Sequence, residues 1–289
     1  MRKPIRRFVN NLYEANQYIF FVALILICLV AISIGVYAQF FYKYADTDPL
    51  MLGINIGAKK TAEEYALLKS NFDEIFDNTL KINSENLSVD KIDSEKDIVY
   101  TAYHLVNEDE TYYSVDVNIP EINLDSDVAK KMNAEIKSEY YNKANSIMRQ
   151  TQGNTIYKVS YASYINRNVL SVVIKASLKE QGKSEKVSMK TYTYSILGEE
   201  MIPLEDLIKL KGTTPEEVQN SIHTEIKTAA ANAQIIANEY GTLYQRNVES
   251  EQYKVQNATE YFLTDDGYVY IIYAYGNNDY TNERDIVIF

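Results

Sequence analysis

One cysteine, two histidines, five prolines and no tryptophan in 289 residues exclude more than they suggest. Cys28 has no second cysteine to pair with, so the chain closes no disulfide on itself and must hold its fold by packing. His104 and His223 are the only side chains that titrate near neutrality without help, which is thin equipment for a hydrolase. No HExxH, GxSxG, CxxC, P-loop or dinucleotide fingerprint occurs, so neither a metal site nor a cofactor is expected and no catalytic residue is assigned. His104 lies in a strand pattern and His223 on a helix beside Ile222, places where an ordinary surface or structural histidine is the simpler reading.

Positive charge is also scarce beyond the amino terminus. Tyr42 to Phe289 carries 39 acidic and 25 basic residues, a net charge of −14, whereas the tail before the first apolar run carries +3. Nucleic acid and anionic lipid need clustered Lys and Arg, so this balance excludes nucleic acid as a partner and favours a cationic one. An acidic surface also serves simply to keep a domain dispersed.

Present instead is one long uncharged stretch, Ile19 to Ala38, including Phe20 and Cys28, preceded by Arg2, Lys3, Arg6 and Arg7. As a helix it is about 30 Å long, enough to cross a bilayer, and the basic side should stay in the cytoplasm. A cleaved secretory signal is the rival reading, because Val36-Tyr37-Ala38 suits a cleavage site. Against it, the apolar core of such signals is usually only about 7 to 15 residues. The expected organisation is a cytoplasmic tail (1–18), a membrane span (19–39), a juxtamembrane helix and linker (40–96), and two extracytoplasmic subdomains (97–183 and 184–289).

Within 40–96, Thr61 and Glu64 form a capping-box pattern opening a helix to about Asp77, and the polar stretch from Asn83 to Lys96 reads as a linker. Strands are predicted over Asp97–Asn107 and Thr111–Ile119, with Pro120 ending the hairpin. Ser126 or Asp125 caps a helix to about Gln150, and alternation then predicts a meander over 155–165, 169–178 and 186–194. A short helix over 204–210 and a longer one from Thr214-Pro215-Glu216-Glu217 to Tyr240 precede strands at 260–263, 268–274 and 285–289. Interleaving without a repeating βαβ unit predicts an α+β fold of antiparallel sheets with packed helices behind the single span.

Several accidental motifs have plainer explanations. Ser88-Val89-Asp90-Lys91 fits SxxK but lies in the linker without its partner motifs. Asn123 to Asp127 alternates oxygen ligands as a calcium loop does, yet Val128 stands where glycine is needed and Ala134 where the bidentate glutamate belongs. Asn86-Leu87-Ser88 and Asn257-Ala258-Thr259 fit the glycosylation sequon, which matters only in a eukaryotic secretory route. Asp265-Asp266-Gly267 reads as a hairpin turn rather than an acid pair.

Two stretches carry a family likeness. The first is Tyr112-Tyr113-Ser114-Val115-Asp116-Val117-Asn118-Ile119-Pro120-Glu121-Ile122 with the following Met132-Asn133-Ala134-Glu135-Ile136. The second comprises Leu170 to Val173, Thr191-Tyr192-Thr193-Tyr194, Gly198 to Leu207 and Glu260 to Tyr268. Together they resemble a bacterial envelope module found in the ectodomain of the lysozyme-sensing anti-sigma-V factor and in the non-catalytic amino-terminal region of a peptidoglycan deacetylase. The chain departs from that pattern where Gln181-Gly182-Lys183-Ser184-Glu185-Lys186 replaces a Gly-Gly-Ala-His segment. With eighteen residues before the span and the sequence running to Phe289, neither a sigma-binding domain nor a deacetylase catalytic domain is expected.

The resemblance implies a membrane-anchored, non-enzymatic module that binds or senses a cationic wall hydrolase or peptidoglycan. Tyr275, Asn277, Asn278, Asp279 and Tyr280, tyrosines among adaptable polar residues in a loop, are the candidate contacts. A carboxylate-based peptidoglycan-modifying enzyme and a structural subunit of a membrane complex remain as alternatives.

Overall fold

The computed structural model describes residues 53–84, 89–240, 244–275 and 283–289. The chain divides into two compact units, 1–48 and 49–289, and every described residue belongs to the second. The basic tail and the run from Ile19 to Ala38 lie outside the described residues. Among the described residues, no helix is long and apolar enough to cross a membrane.

Helix α1 (Ala62–Ser70) opens with the expected capping box, Glu64 N–H donating to Thr61 Oγ1 and Thr61 N–H to Glu64 Oε2. It ends at Ser70, seven residues short of Asp77, and after Asn71 a 3₁₀ turn (Phe72–Ile75) continues the path. That change of pitch buries Phe72 completely between Phe262, Tyr270 and Phe76.

Strands β1 (Leu80–Asn83), β2 (Val99–Asp109), β3 (Tyr113–Ile122), β4 (Thr155–Asn166), β5 (Val169–Glu180), β6 (Lys186–Ser195) and β7 (Glu200–Met201) form a seven-stranded sheet. Its order is β2-β3-β4-β5-β6-β7, with β1 added beside β4. The meander β4-β5-β6-β7 is antiparallel as its alternation predicts, but β3 and β1 each pair with β4 in parallel. The β3–β4 connection is a crossover through α2 (Asp127–Ile136), a π-helical turn (Lys137–Tyr141) and α3 (Asn142–Ile147). Ser126 caps α2 by accepting Ala129 N–H at 3.1 Å.

Pro120 does not end β3. It sits within the strand opposite Thr101, next to a bulge between Thr101 and Tyr103, and β4 pairs with β3 only as far as Val117. An interrupted ladder on one side and no paired strand on the other, among the described residues, is where a strand tolerates a residue without N–H. The expected subdomain boundary at 183–184 falls in the turn joining β5 to β6, whose ten paired positions place both strands in one sheet.

The second sheet is small and antiparallel, in the order β10 (Arg284–Ile288), β9 (Val269–Ala274), β8 (Tyr261–Leu263). Strand alternation sorts its residues into two cores. Phe262, Tyr270, Ile272 and Ile288 meet Tyr164 and Val173 of the large sheet, while Val269, Ile271 and Val287 meet α4 (Leu204–Leu210) and α5 (Pro215–Tyr240) through Leu207, Val218, Ile222 and Ile226. The other face of the large sheet buries Val117, Tyr157 and Val172 under Ile136 and Ile147 of the crossover helices. The resulting layers are helix, sheet, sheet, helix.

An inner strand edge needs hydrogen-bond partners, and β8 finds them on side chains. Leu263 N–H donates to Ser171 Oγ at 3.0 Å, Tyr261 N–H to Thr191 Oγ1 at 2.9 Å, and Thr193 Oγ1 donates to Tyr261 O at 3.1 Å. Three hydroxyls on the face of one sheet thus complete the edge of the other.

Candidate binding groove

Where β6 and β9 diverge, a groove of about 510 Å³ opens between Val187–Met189 on one side and Ile272–Tyr275 on the other. Gln252, Asn257, Thr259 and Glu260 form its remaining wall. Backbone phase decides what faces it. Thr191 N–H points away from β5, to Glu260 Oε2 at 2.6 Å, and Ile202 N–H reaches Thr193 O, so the odd residues of β6 aim their backbone groups outward. On β9, Val269 and Tyr275 bond toward β10, whereas Ile272 N–H donates to Glu260 O, so the even residues face the groove.

Glu260 is the groove's one carboxylate among the described residues. Its Oε2 accepts both Thr191 N–H and Thr191 Oγ1–H, while Lys190 Nζ stands 3.8 Å from Oε1. Burial raises its pKa above the usual carboxylate range, outweighing Lys190 and the Thr191 hydrogen bonds, which lower it. Nearby, the buried Tyr273 hydroxyl has no hydrogen-bond partner among the described residues, its ring lying edge-on to Tyr253.

Tyr275 is the one predicted contact residue inside the described set, and it is 8 % exposed. Its hydroxyl donates to Asp285 Oδ2 at 2.6 Å and meets Tyr253 Oη at 2.7 Å, and its ring stacks on Tyr244 with centroids 4.3 Å apart. Burial, followed by the charge on Asp285, pushes that hydroxyl far above the normal tyrosine range and keeps it a donor. Arg246 completes the cluster by donating to Asp285 Oδ2 and Glu283 Oε2. Tyr275 therefore anchors the base of the β9–β10 connection and shows the groove only part of its surface. Asn277, Asn278, Asp279 and Tyr280 lie outside the described residues.

Other sequence candidates resolve into structure. His104 is exposed on β2 and bonds Asn118, and His223 is exposed on α5. Asn123 is buried and ties the 89–97 segment down, accepting Asp93 N–H at 2.8 Å and donating to Asp93 O at 2.7 Å. The expected linker is thereby fixed to the domain at this point. Asp265-Asp266-Gly267 forms the β8–β9 turn, closed by Thr264 N–H to Tyr268 O at 2.9 Å. Ser88 is outside the described residues. Among the described residues, no three His, Cys, Asp or Glu side chains converge as a metal site would require.

Glu260, Arg246 and the two strand edges carry no signal in the sequence. Their roles depend on partners 37 to 69 residues away, as with Arg246–Glu283 and Thr191–Glu260, and no local spacing announces them.

No protein-family model matches the chain, and no curated protein matches it. Solved structures do. One is a DUF3298 family protein from Pseudomonas aeruginosa PAO1, 11 % identical, with a TM-score of 0.35, covering 63 % of this chain and 83 % of that one. Another is a member of the same family from Bacteroides fragilis, 10 % identical, with a TM-score of 0.38, covering 72 % of this chain and 91 % of that one. Both of these solved structures, to which the chain is similar, are of DUF3298 family proteins.

Proposed function

We propose that the chain is a single-pass membrane protein, amino terminus inside, that displays residues 49–289 as a non-enzymatic binding module toward the cell envelope. Its ligand is a cationic envelope protein of the wall-hydrolase kind. The observation that carries this reading is the chemistry of the groove, which offers strand edges and one carboxylate already bonded to Thr191. Glycan hydrolysis ordinarily requires two carboxylates about 5 to 9.5 Å apart across the scissile bond. Asp285 and Glu283, the nearby acids, are both engaged by Arg246. The net charge of −14 beyond the apolar run favours encounter with a basic protein, and the resemblance to a lysozyme-sensing module points the same way.

Two assays on the full chain test this reading. In a Cys28→Ala background, a membrane-impermeant maleimide applied to intact cells should label Ser184→Cys, in an exposed turn, and leave Asn10→Cys unlabelled until lysis. The purified chain should release no fragments from peptidoglycan. Labelling at position 10 on intact cells, or turnover of peptidoglycan, contradicts the proposal.

A further inference from the structure

Four backbone groups of β6 face the groove with no hydrogen-bond partner among the described residues. The odd residues of this strand point away from β5, and Val187 and Met189 share the phase that Thr191 uses to reach Glu260 and Thr193 uses to reach Ile202. β7 pairs only with Tyr194 and Ser195, and no other described strand covers the edge before them. Across the groove, Ala274 continues the phase in which Ile272 N–H meets Glu260 O, and β8 has ended by then. Among the described residues, the N–H and C=O of Val187, Met189 and Ala274 are without partners on this side.

Backbone donors and acceptors are obligatory bonding groups, and an open strand edge is satisfied by another strand. We infer that the groove takes a basic polypeptide segment in extended conformation, which adds as a strand to the edge of β6 over Val187–Met189 and sets a lysine or arginine side chain against Glu260. The inference rests on the binding-module reading and names its ligand class. A peptide is favoured because the exposed groups alternate donor and acceptor at strand spacing, about 3.3 Å per residue, which a second backbone matches and a sugar does not. A basic residue is favoured because Thr191 occupies only Oε2 of Glu260, and Lys190, at 3.8 Å, is beyond hydrogen-bond range of Oε1. The volume, about 510 Å³, lies within the range of roughly 300 to 1,000 Å³ common for ligand sites.

The test uses the full chain in detergent micelles and a fluorescent octapeptide alternating lysine and threonine. Expected are saturable binding that weakens with salt, and a loss of about tenfold or more when alternate peptide nitrogens are methylated, since each methyl removes a backbone donor. Met189→Pro deletes an outward N–H at a position where an edge strand accepts proline, and should weaken binding comparably. Glu260→Gln keeps an acceptor for Thr191 but loses the charge, and should weaken binding and lessen its salt dependence. If Met189→Pro fails to fold, the methylated peptide and Glu260→Gln still decide the matter.

Equal binding of the methylated peptide, indifference to Glu260→Gln, or displacement of the peptide by a chitin tetrasaccharide overturns strand addition. Lysozyme supplies the control for the underlying reading. If lysozyme binds the chain and the octapeptide does not, strand addition falls and the binding module stands. If neither binds, both fall.

Discussion

Tyr275 and Asp285 share a 2.6 Å hydrogen bond across the β9–β10 pair, and Arg246 Nε holds the same carboxylate oxygen at 2.6 Å. The Arg246 side chain is 6 % exposed and that of Asp285 5 %, so this is a charge pair withdrawn from water. Removing one partner of a buried pair typically costs about 3 to 5 kcal/mol, because the other charge stays buried. Arg246→Ala should lower stability by about that amount in urea denaturation. Tyr275→Phe keeps the ring on Tyr244 and should cost about 1 to 3 kcal/mol, the range for leaving a buried acceptor short of a donor. Tyr275→Ala is then a folding variant and a poor probe of binding.

The joint between the two sheets makes a second prediction. Ser171 is fully buried, and its hydroxyl accepts Leu263 N–H. Ser171→Ala should cost about 1 to 3 kcal/mol for that orphaned donor. Amide exchange should accelerate at Leu263 while remaining slow in the middle of β5. Unchanged exchange at Leu263 would refute the role assigned to the hydroxyl.

Glu260 sets a pH dependence. Its folded pKa is raised by burial, so folding favours the protonated form. The associated stability is fully present below the unfolded pKa and is lost as pH rises through the folded value. Glu260→Gln should therefore match the native chain in stability at pH 3 and exceed it at pH 7, as read from paired thermal melts. A variant less stable than the native chain at pH 7 would contradict this.

Gly267, at φ +86°, sits against the segment that enters the domain. A Cβ there would meet Asn55 O at 2.1 Å, and Gly57 N–H donates to Gly267 O at 3.2 Å. Buried Asn166 clamps the same segment by accepting Asn55 N–H at 2.7 Å and donating to Asn55 O at 2.9 Å. Gly267→Ala should destabilise by more than about 1 kcal/mol, since both the backbone angle and the space forbid a side chain. Limited proteolysis should then cut near residues 53–60 before the core unfolds.

Local signals are legible in the sequence wherever a few neighbouring residues determine the outcome. The capping box at Thr61, the Ser126 cap, Pro215 opening α5 and the turn at Asp265-Asp266-Gly267 each act within four residues. The β4-β5-β6 meander is equally legible from its alternation. Pro120 misleads because its tolerance depends on a bulge in the opposing strand and on where β4 stops pairing. The parallel β3–β4 and β1–β4 pairs escape a sequence reading because they join segments separated along the chain. The groove is illegible for a related reason: it consists of backbone that is unpaired among the described residues, which depends on how far distant strands extend beside β6 and β9. Tyr275 stands out by its composition, whereas its hydroxyl is committed to Asp285.

Capture of a cationic envelope protein is measured most directly by calorimetric titration of the full chain with lysozyme across a series of salt concentrations. Expected is one saturable site whose affinity falls steadily as salt rises, with no covalent change in either protein. Absence of binding at low ionic strength, or affinity indifferent to salt, would contradict an acidic module built to capture a cationic envelope protein.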